Sequence, residues 1–548
     1  MAHALAGKPV QEQDIIDVQT IVDAYFDNVP DMTNPTQLVS FGTSGHRGTS
    51  VDGTFTDLHV AAITQAICDG RKQFGATGPI FVGQDTHALS QPALVTVLEV
   101  LAGNGVTAMV DCDMAFVPTP SVSRAIIRYN EEHDDKADGI IITPSHNPPD
   151  NGGIKYNTII GGPADTVVTK WIEMRANEYL TAYCESEDFK RISIDNIEPT
   201  AQVPYDYKGL YVEELGDVIN MEAIKAAGPK VLVDTLGGSG ASYWNAIKER
   251  YGLDLTIIHD DYDPTFSFMT YDHDGKVRMD CSSTYVMASV INRIGDFDLA
   301  VGNDPDYDRY GIVVSSGLIS ANIFLTLAAR YLFTTRGWKN KGVGKTVVCT
   351  TMIDKWAADA ETPVFEVPVG FKYFSQLLFD GAIGIGGEES AGASFLKKDG
   401  TVWTTDKDGM IMALLSMEIM AVMGKSELKM ADEFVEEFGN PSFGRIDAPC
   451  KKEQKQILKQ MSAELITATT VDGDPITNIR TTSLYNDMPI DGVRVETDKG
   501  WFVARPSGTE DLYKIYGESY KGDLGLVALL TAGEEIVNAA LNGTIETE

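Results

Sequence analysis

Ile140-Ile141-Ile142-Thr143-Pro144-Ser145-His146-Asn147-Pro148-Pro149 is an apolar, β-branched run that ends abruptly in a polar turn. The run is too short for a helix and reads as a buried strand. Pro144 biases Thr143 toward extended backbone, and the two later prolines fix the far side of the turn. A serine held at a strand end, beside a histidine and near Lys155, is a candidate nucleophile or phosphate carrier. An ordinary serine-containing turn is the competing reading of this stretch taken alone.

Outward from this stretch the chain alternates. Helical spacing at 58–74, 91–104 and 121–129 is interleaved with strands at 79–85 and 107–111. A second alternation has strands at 230–234 and 253–259, a helix through Arg250 and a helix at 282–294. Its glycine turn, Leu236-Gly237-Gly238-Ser239-Gly240, lacks both the GxGxxG spacing and a P-loop lysine, so it reads as strand-to-helix punctuation. A third alternation has a helix at 321–333, a strand at 345–350 and an apolar helix at 409–423 whose methionines read as core. Each unit places an acidic residue, an apolar strand and then a polar loop: Asp138 before Ser145, Asp298 before Asp304, and Asp380 before Glu388. The tail has helices at 451–466 and 525–540 and strands at 492–497, 501–504 and 513–518. The pattern predicts an α/β chain: three α/β domains with mixed, mainly parallel sheets, then a smaller C-terminal α+β domain. The expected boundaries are 1–204, 205–320, 321–431 and 432–548. In such sheets ligands sit beyond the carboxyl ends of strands, so the three polar loops are expected to face one cleft.

Composition narrows the function. The chain has 548 residues and a formal net charge of −35, which offers no basic footprint for nucleic acid. No apolar run approaches the roughly 20 residues of a membrane span, and residues 1–13 lack the apolar core of a signal peptide. Six cysteines lie far apart without a CxxC pair, which points to a reducing, cytoplasmic setting.

Three further loops carry chemistry. Asp304, Asp306 and Asp308 alternate, so an extended loop aims three carboxylates to one side, a hard-oxygen set suited to Mg²⁺. An EF-hand needs glycine and glutamate where Arg309 and Ser315 stand, and is rejected. A phosphatase-type nucleophilic aspartate stays open. Arg505-Pro506-Ser507-Gly508-Thr509 joins a guanidinium to two hydroxyls and a freed backbone N–H, which suits a phosphate. Thr43-Ser44-Gly45-His46-Arg47 has similar chemistry. His46 reads as an ordinary hydrogen-bonding histidine, and Glu388 and Ser390 suit sugar hydroxyls.

Five motifs in order, Gly42–Gly48, Thr143–Asn157, Asp304–Arg309, Gly387–Gly392 and Arg505–Glu510, resemble the α-D-phosphohexomutase superfamily over nearly the whole chain. The loop Glu388-Glu389-Ser390-Ala391-Gly392 is similar to its glucose branch, because no histidine follows before Phe395. The resemblance implies four domains around one cleft, the first three related. It implies that Ser145 is carried as phosphoserine and that Asp304, Asp306, Asp308 and a phosphoserine oxygen hold Mg²⁺. It implies interconversion of glucose 1-phosphate and glucose 6-phosphate through glucose 1,6-bisphosphate. By the family pattern Lys155 is the general acid/base, Arg47 stabilises charge, and His146 and Asn147 orient the serine loop. Arg505, Ser507, Gly508 and Thr509 hold the distal phosphate, with Thr43, Ser44, Arg309, Lys372, Glu388, Ser390 and Lys398 as further substrate contacts. A small phosphosugar is the expected partner, with no nucleic acid or membrane, for a monomer or homodimer.

Overall fold

The computed structural model describes residues 3–42, 44–184, 189–424, 427–506 and 512–545. The first sheet holds β1 (His46–Thr49), β2 (Ile80–Gln84), β3 (Ala108–Asp111), β4 (Asp138–Ile142), β5 (Asn151–Asn157) and β6 (Gln202–Tyr205), in the order β1-β5-β4-β2-β3-β6. Strands β4, β2, β3 and β6 are parallel, while β5 and β1 add antiparallel at one edge. Ile140, Ile141 and Ile142 are fully buried, the pattern of a central strand covered by helices on both faces.

The second sheet repeats this plan with β7 (Val231–Asp234), β8 (Leu255–Ile258), β9 (Leu299–Asn303), β10 (Tyr310–Val314) and β11 (Gly317–Leu318), in the order β11-β10-β9-β7-β8. Again a parallel core, β9-β7-β8, is extended by an antiparallel hairpin, β9–β10. The Ser145 turn joins β4 to β5 and the Asp304–Arg309 loop joins β9 to β10, so the two polar loops occupy equivalent places in two sheets.

In the third repeat β12 (Gly342–Thr346), β13 (Val364–Val367) and β14 (Ile383–Gly387) are parallel; β15 (Ala393–Phe395) follows the Glu388–Gly392 loop in the chain. The last domain is an antiparallel sheet of β16 (Ser442–Pro449), β17 (Thr470–Val471), β18 (Asp474–Thr482), β19 (Pro489–Thr497), β20 (Gly500–Pro506) and β21 (Leu512–Ser519). The architecture is therefore three α/β domains and a smaller C-terminal domain, as the alternation predicts.

Four local expectations change. The helix expected over 282–294 is reduced to Ala288–Ile291, because Ser282 and Ser283 place their hydroxyls on Asp280 and Asp272 rather than in a helix. The strand expected at 345–350 runs instead at Gly342–Thr346, and Val347 and Val348 turn away to pack on Trp501 and Val503. The helix expected over 451–466 stops at Lys459. The helical segment Gly522–Asn542 is, by length and composition, long and apolar enough to cross a membrane, contrary to the sequence reading that no apolar run approaches that length. Its Leu526, Leu529, Leu530, Val537 and Leu541 are buried in the C-terminal core, while Leu524 is 87% exposed.

By contacts the chain forms two units: Met1–Ala321 with Phe374–Ala382 and Ser390–Leu428, and Asn322–Tyr373 with Ile383–Glu389 and Lys429–Glu548. The expected third domain is thus shared between them. Helix Gly409–Met423 belongs to the first unit: it is apolar on all sides, starts on the Asp408 side chain, and its Glu418 accepts from Asn220 N at 2.7 Å.

Candidate active site

Ser145 sits in the left-handed backbone region, with φ +61°. For a residue with a Cβ this costs roughly 1–2 kcal/mol and has to be enforced by neighbours. Ser145 N donates to Thr143 Oγ1 at 2.7 Å, and Thr143 N donates to Gly153 O at 2.9 Å. Gly153 has to be glycine, since a Cβ would meet Thr143 O at 2.2 Å. The strained turn sends Ser145 Oγ across to the second sheet, where it donates to Asp304 Oδ2 at 2.9 Å.

The alternating aspartates converge as expected. Asp304, Asp306 and Asp308 are buried and each offers an oxygen within 4.8 Å of the others. Tyr307, at φ +62°, turns the loop between them. The glycine turn after β7 is more than punctuation: Ser239 N and Oγ both donate to Pro305 O at 2.8 Å, and a Cβ on Gly240 would strike the Tyr307 ring at 2.3 Å. It is the bed on which the aspartate loop lies. From the first domain, Thr119 Oγ1 donates to Asp306 Oδ2 at 2.7 Å.

The opposing charges come from several elements. Lys155, on β5, donates to Asp306 Oδ2 at 2.6 Å and to Asp308 Oδ2 at 3.2 Å. Burial alone would lower its pKa, but the two carboxylates outweigh it and hold the ammonium above its ordinary value. Arg309 Nη1 lies 3.3 Å from Asp280 Oδ2, and Asp280 also stands 3.9 Å from His146 Nε2. Arg47 reaches Ser44 Oγ at 3.3 Å, and burial lowers its pKa. Asn147 Nδ2 donates to Asn151 Oδ1 at 3.2 Å, bracing the turn. Burial and then the neighbouring aspartates push the Asp304 carboxyl well up, whereas Lys407 and Lys155 overcome burial and draw Asp308 down.

Four residues at this site were not singled out by the sequence. Lys407 pairs with Asp308 Oδ2 at 2.7 Å, its stem lying where a Cβ on Gly392 would come within 2.3 Å of Cδ. Asp280 holds Arg309. Asp85 and His87 lie under the serine turn. Nothing in their spacing marks them, because each acts across distant chain segments.

The remaining expected residues divide. His46 bridges the Ser40 and Thr54 carbonyls, as an ordinary histidine does. Ser390 precedes Ala391, whose carbonyl accepts from Tyr310 N at 3.1 Å, at the start of β10. Lys398 Nζ donates to Ile219 O at 3.4 Å. In the second unit, Glu388 Oε1 accepts from Gly370 N at 3.1 Å, two residues before Lys372, and Arg505 lies on β20 with its Nε buried and without a hydrogen-bond partner among the described residues. Thr43, Ser507, Gly508 and Thr509 lie outside the described residues.

A buried hydroxyl facing a carboxylate triad, with cations from four segments, can neutralise charge around a transferring phosphoryl group. Fold and site define a phosphoryl-transfer enzyme built on repeated α/β units. Models of the phosphoglucomutase/phosphomannomutase alpha/beta/alpha domains I, II and III match residues 38–182, 210–317 and 320–438, and that of the C-terminal domain matches 447–524. The chain is 46% identical to a phosphoglucomutase of Komagataeibacter xylinus, over 97% of each chain. It is 27% identical to phosphoglucomutase 1 of Saccharomyces cerevisiae over 88% of each. A structure of Paramecium parafusin, a phosphoglucomutase in its open form, shares the fold with a TM-score of 0.72 at 20% identity, covering 94% of this chain and 96% of that one. The chain belongs to the phosphoglucomutase/phosphomannomutase family of the α-D-phosphohexomutases.

Proposed function

We propose that the chain interconverts α-D-glucose 1-phosphate and glucose 6-phosphate, as an isomerase working through glucose 1,6-bisphosphate. The observation that carries this is Ser145 Oγ, 2.9 Å from Asp304 Oδ2 in a buried carboxylate triad. Ser145 is the phosphoryl carrier: as phosphoserine it gives its group to the free hydroxyl of the bound monophosphate and takes back the other phosphate of the bisphosphate. Asp306 Oδ1 and Asp308 Oδ1 are buried without hydrogen-bond partners among the described residues, so the all-oxygen set fits a hard divalent cation such as Mg²⁺. Asp304, Asp306, Asp308 and a phosphoserine oxygen would hold Mg²⁺, which would supply charge neutralisation during transfer.

Lys155 is the proton carrier for the sugar hydroxyl, and Arg47 neutralises charge on the transferring group. His146 and Asn147 orient the turn. Arg309 and Ser44 meet substrate near the serine; Lys372, Glu388 and Ser390 read the sugar, and Arg505 with 507–509 takes the distal phosphate. The four domains are drawn at 1–204, 205–320, 321–431 and 432–548, and the reaction is placed in the cytoplasm, in a monomer or homodimer.

The test is a coupled assay of glucose 6-phosphate formation with Mg²⁺ and trace glucose 1,6-bisphosphate, beside mannose 1-phosphate and a phosphate-release control. Ser145→Ala is expected to abolish turnover. Full activity in that variant overturns the phosphoserine route, and net phosphate release in the wild type marks a phosphatase instead.

A further inference from the structure

The turn that carries Ser145 is held from beneath by buried groups at the end of β2. Asp85 follows the last residue of β2, and its N–H donates to Ile142 O at 3.0 Å, locking it beside the end of β4. Its Oδ2 accepts from Thr143 Oγ1 at 2.6 Å, and that same Oγ1 accepts from Ser145 N at 2.7 Å. Asp85 Oδ2 also faces His87 Nδ1 at 2.8 Å, while the other ring nitrogen, Nε2, lies 3.0 Å from Asn147 O. The contacts form a closed ring, from Asp85 through Thr143 to Ser145, along the backbone to Asn147, and back through His87. Asp85 is further fixed by Ser90 Oγ and His87 N on Oδ1, and the His87 ring lies 5.1 Å from that of Phe266. Asp85, His87 and Thr143 are all essentially buried, at 0%, 1% and 0% exposure.

Resting on the function proposed above, we infer that Asp85 and His87, acting through Thr143 and Asn147, are positioning residues for phosphoryl transfer. They grip both ends of a turn whose middle residue has φ +61°, and the direction of Ser145 Oγ toward Asp304 depends on that grip. Beyond residues 85–90, the side-chain hydrogen bonds of the pair among the described residues end on Thr143 and Asn147. Loosening the ring leaves the carboxylate triad and substrate contacts in place but lets the carrier oxygen wander. Misplacement of a reacting atom by about 1 Å costs on the order of 100-fold in rate, so the loss belongs in the transfer step and not in substrate affinity.

The experiment uses the full chain, phosphorylated at Ser145 from radiolabelled glucose 1,6-bisphosphate and freed of the sugar monophosphate released. Thr143→Val, Thr143→Ser, His87→Ala and Asp85→Asn are compared with wild type for kcat, KM and the single-turnover rate of label transfer to glucose 1-phosphate. That rate constant is independent of how much of a preparation is folded. Thr143→Val and His87→Ala are expected to slow transfer about 10- to 100-fold with KM changed less than about threefold, and Thr143→Ser, which keeps the hydroxyl, to restore it. A lower amplitude with an unchanged rate constant overturns the inference, because the pair then only supports folding. If His87→Ala or Asp85→Asn fails to fold, the two Thr143 variants decide. A wild-type chain that takes up no label overturns the proposed function and this inference with it; normal wild-type turnover with unaffected variants overturns the inference alone.

Discussion

Lys407 and Lys398 stand nine positions apart in the chain and do different things. Lys398 rests on the Ile219 carbonyl, whereas Lys407 is nearly buried against Asp308. Removing one partner of a buried ion pair leaves the other charge uncompensated, which costs far more than the loss of a surface contact. Lys407→Met is therefore expected to lower kcat at least about tenfold, a cost of about 1.4 kcal/mol or more in transition-state stabilisation, while Lys398→Ala stays within about twofold of wild type. Steady-state kinetics on both variants check this, and the opposite order returns the substrate-contact role to Lys398. Sequence reasoning found Ser145 and the aspartates because each sits in a short pattern with its own chemistry. It took Lys398, in Lys397-Lys398-Asp399-Gly400, from the family resemblance, and passed over Lys407 in Asp406-Lys407-Asp408-Gly409, which the fold pairs with Asp308.

Among the elements, strands β18 and β19 carry a charge ladder that ties the last domain to the third repeat. Arg480 donates to both Glu366 oxygens, at 2.5 and 2.9 Å, and Glu496 takes Arg494 at 2.6 Å and Arg480 at 3.1 Å. Burial opposes ionisation of Glu496, but Arg494 and Arg480 outweigh it and draw its pKa down to about 2. A carboxylate lowered on folding contributes stability above its ordinary pKa and loses it as pH falls through the folded value. The ladder is thus expected to weaken between about pH 4.5 and 2, by up to roughly 3 kcal/mol for Glu496. Urea unfolding of the C-terminal transition against pH measures this: Glu496→Gln is expected to flatten the slope, and an unchanged slope removes Glu496 as its source. The central strands were legible because a run such as Ile140–Ile142 has few alternatives. Strands β1, β5, β16 and β18 were not, since glycine or alternating polar residues fill them and only pairing with a neighbour makes them strands.

For the whole molecule, a net charge of −35 is a long-range repulsion that folding has to overcome. Screening shortens its reach to about 8 Å at physiological salt. Thermal unfolding is expected to move to higher temperature as sodium chloride is raised from a few millimolar, and a flat Tm would mean that local pairing already offsets the excess. The count of alternating units was legible at this scale; the grouping of residues into units was not. Helix Gly409–Met423 follows the third repeat in the chain yet joins the first unit, because an element apolar on every side takes whatever core will enclose it.

The equivalent hairpins of the first two sheets carry a further implication. The loop after β4 holds Ser145 and the loop after β9 holds three aspartates, yet both occupy one spot in one repeated design. The same hairpin position thus serves two chemistries, a hydroxyl in one sheet and carboxylates in the other. Neither loop makes the site by itself: Ser145 Oγ and Asp304 Oδ2 come from different sheets, so the contact exists only where both hairpins are present.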